Sequence, residues 1–85
     1  MTTLTYYVVL PFIRADDGTT VPGKAFECPN AATAILQAEF LSQAAGNVGA
    51  IAFSRTGDSD VGMFEDAVVL KTFGDLPVDL TMLLF

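Results

Sequence analysis

"CPNAATAILQAEFLSQAAGN", residues 28–47, decides the fold, because it is the one long helical stretch in a chain otherwise written in strand residues. Pro29 near the start, alanine throughout, an interior free of glycine and proline, and Gly46-Asn47 as a stop predict a helix from about residue 30 to residue 45. At about 100° per residue, Ala31, Ala34, Ile35, Ala38, Leu41 and Ala45 share one stripe, whose small side chains suit a close approach to a sheet. Leu36 and Phe40, spaced i and i+4, fall on a different side among Thr33, Glu39 and Gln43. The helix therefore has apolar material in two directions.

Before the helix, "KAFEC" (residues 24–28) reads as a short edge strand pointing Phe26 and Cys28 inward and Glu27 outward, where its charge discourages stray pairing. Upstream of it, "ADDGTTVPG" carries two turn signals, Asp17-Gly18 and Val21-Pro22-Gly23, so the chain is expected to reverse there. Residues 4–14, with Tyr6, Tyr7, Val8 and Val9, form the first strand. One of its faces is Leu4, Tyr6, Val8, Leu10 and Phe12; the other is Thr5, Tyr7, Val9, Pro11 and Ile13. Both are largely apolar, which marks a central strand covered on both sides, with Pro11 withholding one ladder donor and suggesting a bulge nearby.

After the helix, residues 48–55 and 65–73 read as the third and fourth strands. The order ββαββ, with turn-sized connections, predicts an α+β domain: a four-stranded antiparallel sheet with one helix packed across it. The whole of residues 1–85 reads as one small domain, with an apolar C-terminal tail, "DLPVDLTMLLF", from about residue 75. A chain this short buries only about 60% of the surface its unfolded form exposes, so association with a partner would help it. Yet 52% of its residues are hydrophobic and 16% charged, ample for a core and the reverse of a disordered composition.

Four basic residues against ten acidic ones give a formal charge of −6 with no histidine, so a nucleic-acid backbone would meet net repulsion. The single cysteine, Cys28, has no intramolecular disulfide partner and suits a reducing compartment. "MTTLTYYVVLPFIRADDG" has no basic residue before its apolar run and fails as a signal peptide, and no segment has the roughly twenty apolar residues of a spanning helix. A cytoplasmic protein without membrane or nucleic-acid partners is the expectation.

The stretches "YYVVLPF", "AFECPNAATAI", "GAIAFSRTGD" and "FEDAVVLKTFGDLP" resemble a group of short uncharacterised bacterial proteins of unknown function, mainly alphaproteobacterial, and the likeness covers most of residues 6–80. It implies a bacterial origin and a self-contained domain, with no activity to carry over. A looser likeness to peptidoglycan-binding SPOR domains, through "YYVV" and the alanine-rich helix, breaks down because those domains place a helix directly after the first strand.

Chemistry is sparse. In "DSDVG" (residues 58–62) the Asp-x-Asp start of a calcium loop is present, but the twelfth position from Asp58 is Val69 instead of a bidentate glutamate, and Gly62 comes fifth instead of sixth. Asp58, Asp60, Glu65 and Asp66 are therefore read as acids kept in water around a turn. Cys28 precedes the helix start, where a thiol pKa can fall, but no histidine base or resolving cysteine accompanies it. "PGKAF" lacks the rest of a phosphate loop, and Arg14 and Arg55 are read as balancing neighbouring acids.

These absences point to a small protein-interaction or regulatory module that self-associates as a homodimer, with no catalytic residues, cofactor or metal. The alternatives are a small-ligand-binding protein or enzyme, and an acidic inhibitor or mimic. A pocket lined by Tyr6 or Tyr7 with an arginine would favour ligand binding, and a contiguous acidic face would favour mimicry. Leu36, Phe40, Met82, Leu83, Leu84 and Phe85 are surplus to the helix stripe and are the expected self-association residues. The competing arrangement has the tail folded back over Leu36 and Phe40, or over an open sheet face.

Overall fold

Leu4–Arg14 forms β1, with the bounds that its aromatic and β-branched content predicts. The structure, a computed structural model, describes residues 3–58 and 62–76. In chain order the remaining elements are β2 (Thr20–Pro22), β3 (Phe26–Cys28), α1 (Ala31–Ser42), β4 (Asn47–Asp58), β5 (Met63–Phe64) and β6 (Val68–Gly74). β1 and β4 are antiparallel neighbours at the centre, with Tyr6 opposite Arg55, Val8 opposite Phe53 and Leu10 opposite Ile51. Both β2 and β3 pair with β1 on its other edge, and both β5 and β6 pair with β4.

The α+β class and the antiparallel sheet with one helix are thus observed, but among the described residues the sheet has six strands, not the expected four, and the order is βββαβββ, not ββαββ. The cause is register. Three steps along β1, from Phe12 to Val9, face four steps from Pro22 to Phe26, so residues 23–25 leave the ladder. Likewise three steps along β4, from Gly57 to Ser54, face four from Phe64 to Val68, and residues 65–67 drop out. Further irregularities fall at Phe12/Ile13, just past Pro11, and at Ala52/Phe53. Each extra residue bends its strand, and the sheet curls.

Val21-Pro22-Gly23 is not the expected reversal. The chain turns earlier, where the Ala15 N–H donates to the Thr19 carbonyl at 2.7 Å and Gly18 adopts φ 88°, a left-handed conformation that favours glycine. Asp17 stabilises the turn, its Oδ1 accepting from the Thr19 N–H at 3.0 Å and from Thr19 Oγ1 at 2.7 Å. Pro22 is tolerated in β2 because that segment is an edge. The Gly23 N–H then donates to the Pro11 carbonyl at 2.8 Å.

Asn30 caps α1, its Oδ1 accepting from the Thr33 N–H at 2.8 Å. The helix stops at Ser42, three residues short of the expected end at 45, because i to i+3 bonds from Gln43 to Phe40 and from Ala44 to Leu41 tighten its last turn. Asn47 Nδ2 also donates to the Leu41 carbonyl at 2.8 Å. Ala45 therefore leaves the stripe and is exposed. Four of the stripe's residues pack as expected: Ala34 and Ala38 are fully buried with Val9, Ala50 and Ala52, flanked by Ile35 and Leu41 and by Cys28, Leu70 and Phe73, while Ala31 is half-buried.

The opposite sheet face is buried too. Leu10, Phe12, Ile51 and Phe53 form a second cluster, with Ala67 and Leu76 packed against it. An open sheet face in need of a second copy is therefore not what this region presents. No helix among the described residues is long and apolar enough to cross a membrane.

Candidate functional site

The far face of the sheet changes along β1. Phe12 is fully buried and Leu10 nearly so, but Val8 and Tyr6 are only half-buried, and a cleft of about 500 Å³ opens over them. Its other lining residues include Phe26, Glu27, Arg55 and Phe64.

Register explains the gathering. Residues directly opposite on an antiparallel pair project from the same face, as do residues two apart on one strand. Tyr6 stands opposite Arg55 and, two residues on, Val8 stands opposite Glu27 of β3. Phe64 lies opposite Gly57, two residues beyond Arg55. Side chains from β1, β3, β4 and β5 thus share one surface, on the face away from α1.

Gly57 makes room for the aromatic wall. A Cβ there would collide with the Met63 carbonyl and with the Phe64 ring, 2.6 Å from Cδ1, so only glycine lets Phe64 lie this close to β4. The Phe64 ring is then 6.0 Å from that of Tyr6, tilted by 53°, and Arg55 Cζ sits 5.3 Å from the Phe64 ring centroid. Both distances lie within reach of aromatic and cation–π attraction. The cleft has a cationic, aromatic end at Arg55 and Phe64 and an acidic rim at Glu27.

Of the residues expected to mediate self-association, Leu36 and Phe40 are 66% and 70% exposed on the outer side of α1. Met82, Leu83, Leu84 and Phe85 lie outside the described residues. Phe26, expected to point inward, stands opposite Val9 on the helix-side register but is 41% exposed and borders the cleft, because β3 is a three-residue edge with no strand beyond it among the described residues. Cys28, on the same strand, is half-buried against the helix-side core.

The reading of the acidic stretch as a solvated turn needs a correction. β4 runs on to Asp58, which pairs in register with Met63 and is only 7% exposed, so this acid belongs to the sheet. Glu65 and Asp66 are exposed, and Asp60 lies outside the described residues. Among the described residues no group of three or more His, Cys, Asp or Glu side chains could hold a metal ion. Arg14 does meet an acid, with its Nη2 3.2 Å from Asp75 Oδ2, both exposed.

Phe64 and Glu27 were not expected at a site, since 37 positions separate them in the chain and only the register brings them together. The local trace was Gly57, but beside Asp58 it reads as a turn former, and only the pairing with Phe64 puts this glycine inside a strand, where it marks a close approach by a neighbour. No family model, curated protein or solved structure matches the chain.

Proposed function

We propose that the protein is a small interaction module that pairs with a second copy of itself through the outer face of α1. One observation carries this reading: Leu36 and Phe40, one turn apart, stand 66% and 70% exposed on a helix whose other side is buried in the core. Their surroundings on the helix include Ala32, Thr33, Gln43 and a single charge, Glu39. In a chain of net charge −6, that is a surface on which two copies can meet with little repulsion. Burying a leucine and a phenylalanine on each copy contributes about 1.5–3 kcal/mol per side chain before the cost of association.

Sedimentation at micromolar concentration tests it. The expected mass is twice that of the chain, and Leu36→Glu with Phe40→Glu returns a folded monomer, its intrinsic stability changed by no more than about 0.5 kcal/mol because both positions face water. A chain that stays monomeric up to millimolar concentration rules the proposal out. A large loss of monomer stability in the double variant would mean instead that these side chains pack within their own chain.

A further inference from the structure

We propose that the cleft over Tyr6 and Val8 binds a small organic carboxylate with a flat apolar body. Its volume of about 500 Å³ lies in the range of small-molecule sites, and its walls are the side chains such a ligand needs. Tyr6, Val8 and Phe64 offer aromatic and aliphatic surface, with Phe26 on the rim. Phe64 is 39% exposed, so ligand burial would remove water from a large ring that the fold leaves wet.

The anionic head is assigned by Arg55. Four side chains in the chain are cationic, and this one lies in the aromatic cleft, its guanidinium held over the Phe64 ring at 5.3 Å. A guanidinium presents five donors in a planar fork, so a carboxylate can bind along an edge while a ring covers the plane and other partners take the remaining donors. Glu27 limits the choice. It stands one strand beyond β1, while Arg55 stands one strand before it, so about 10 Å of sheet separates their backbones. Across that spacing, comparable to the Debye length, salt weakens the repulsion between Glu27 and a head group seated on Arg55, whereas the Arg55 contact is direct. A second negative charge at the far end of the ligand would meet Glu27 at close range, which selects monoanions.

The surface lies on the sheet face opposite α1, so it is open whether or not the chain pairs through Leu36 and Phe40. The probe is 2-naphthoate, with the uncharged 2-naphthamide as its near-isosteric control, each titrated into the ¹⁵N-labelled protein and followed by NMR. The expected result is saturable shifts centred on Tyr6, Val8, Glu27, Arg55 and Phe64. The carboxylate should bind roughly tenfold more tightly than the amide, the worth of a charge-assisted contact in a partly wet site. Arg55→Gln removes that preference, so that the two probes bind with equal affinity, while Phe64→Ala weakens both probes. Equal affinity for the two probes, shifts centred on α1, or no saturation by about 10 mM, weaker than any useful small-molecule site, overturns the proposal. The comparison of the two probes needs no variant, so it decides the matter even if Arg55→Gln fails to fold.

Discussion

The two faces of the sheet are buried by opposite means. Under α1 the fully buried side chains are Ala34, Ala38, Ala50, Ala52 and Val9, so the surfaces exclude water by bringing backbones close together. On the far face the work falls to Leu10, Phe12, Ile51 and Phe53, which exclude water by bulk. A face built on alanine has no room to add volume, and a face built on phenylalanine and isoleucine has none to lose. The far face also tapers: its large side chains close it at the Phe12 end, and at the Tyr6 end the same strand pair leaves a cleft.

The strongest way to break this contrast is Phe12→Ala. The side chain is fully buried, and its removal takes away both its transfer free energy and the contacts that line the resulting cavity, about 3–5 kcal/mol together. Small domains are stable by about 5–15 kcal/mol in all, so the denaturant midpoint should fall steeply. A loss under about 1 kcal/mol would mean that the far face is not a packed layer.

Ala38→Leu probes the other face in the opposite sense. Ala38 is fully buried between helix and sheet, and three added carbons must push α1 away or force strained rotamers, at about 1–3 kcal/mol. The same change at exposed Ala32 should cost almost nothing, because leucine is nearly as good a helix former as alanine. Chemical denaturation of the two variants side by side reads the difference. If Ala38→Leu is as mild as Ala32→Leu, close approach is not what the alanine stripe is for.

The alanine face was legible in the sequence and the far face only partly so, for a physical reason. Ala31, Ala34, Ile35, Ala38 and Leu41 repeat with the helical period inside one continuous segment, and two-sided apolarity in residues 4–14 marked β1 as central. Both signals are local. The cleft is set by register between strands: Tyr6 meets Arg55 only because β1 and β4 pair as they do, and Glu27 reaches the same surface only because residues 23–25 leave the ladder. Pro22-Gly23 has the composition of a turn, and nothing in it distinguishes a reversal from a break in an edge strand. Asp58 escaped for a related reason, because Gly57-Asp58 reads as the start of a turn and only its pairing with Met63 keeps β4 going.

The smallest expected effect lies at the β1–β2 turn, which belongs to neither face and so gives a baseline for both. Asp17 is fully exposed, and its carboxylate is held below the ordinary 3.8, first by the hydrogen bond from the Thr19 hydroxyl and then by that from the Thr19 N–H. A lowered folded-state pKa binds protons less readily than the unfolded chain does. Asp17 therefore adds stability that is fully present above the unfolded pKa and is lost as the pH falls below 3.8 and through the folded value. Asp17→Asn retains a side-chain oxygen to accept both bonds, so it keeps the turn while removing the titration. It should flatten slightly the acid limb of stability against pH and leave the neutral plateau almost unchanged. Thermal melts of both proteins from neutral pH downward check it. If the substitution moves the plateau as much as Ala38→Leu does, the turn is coupled to the packing of the sheet, and the two faces are not separable.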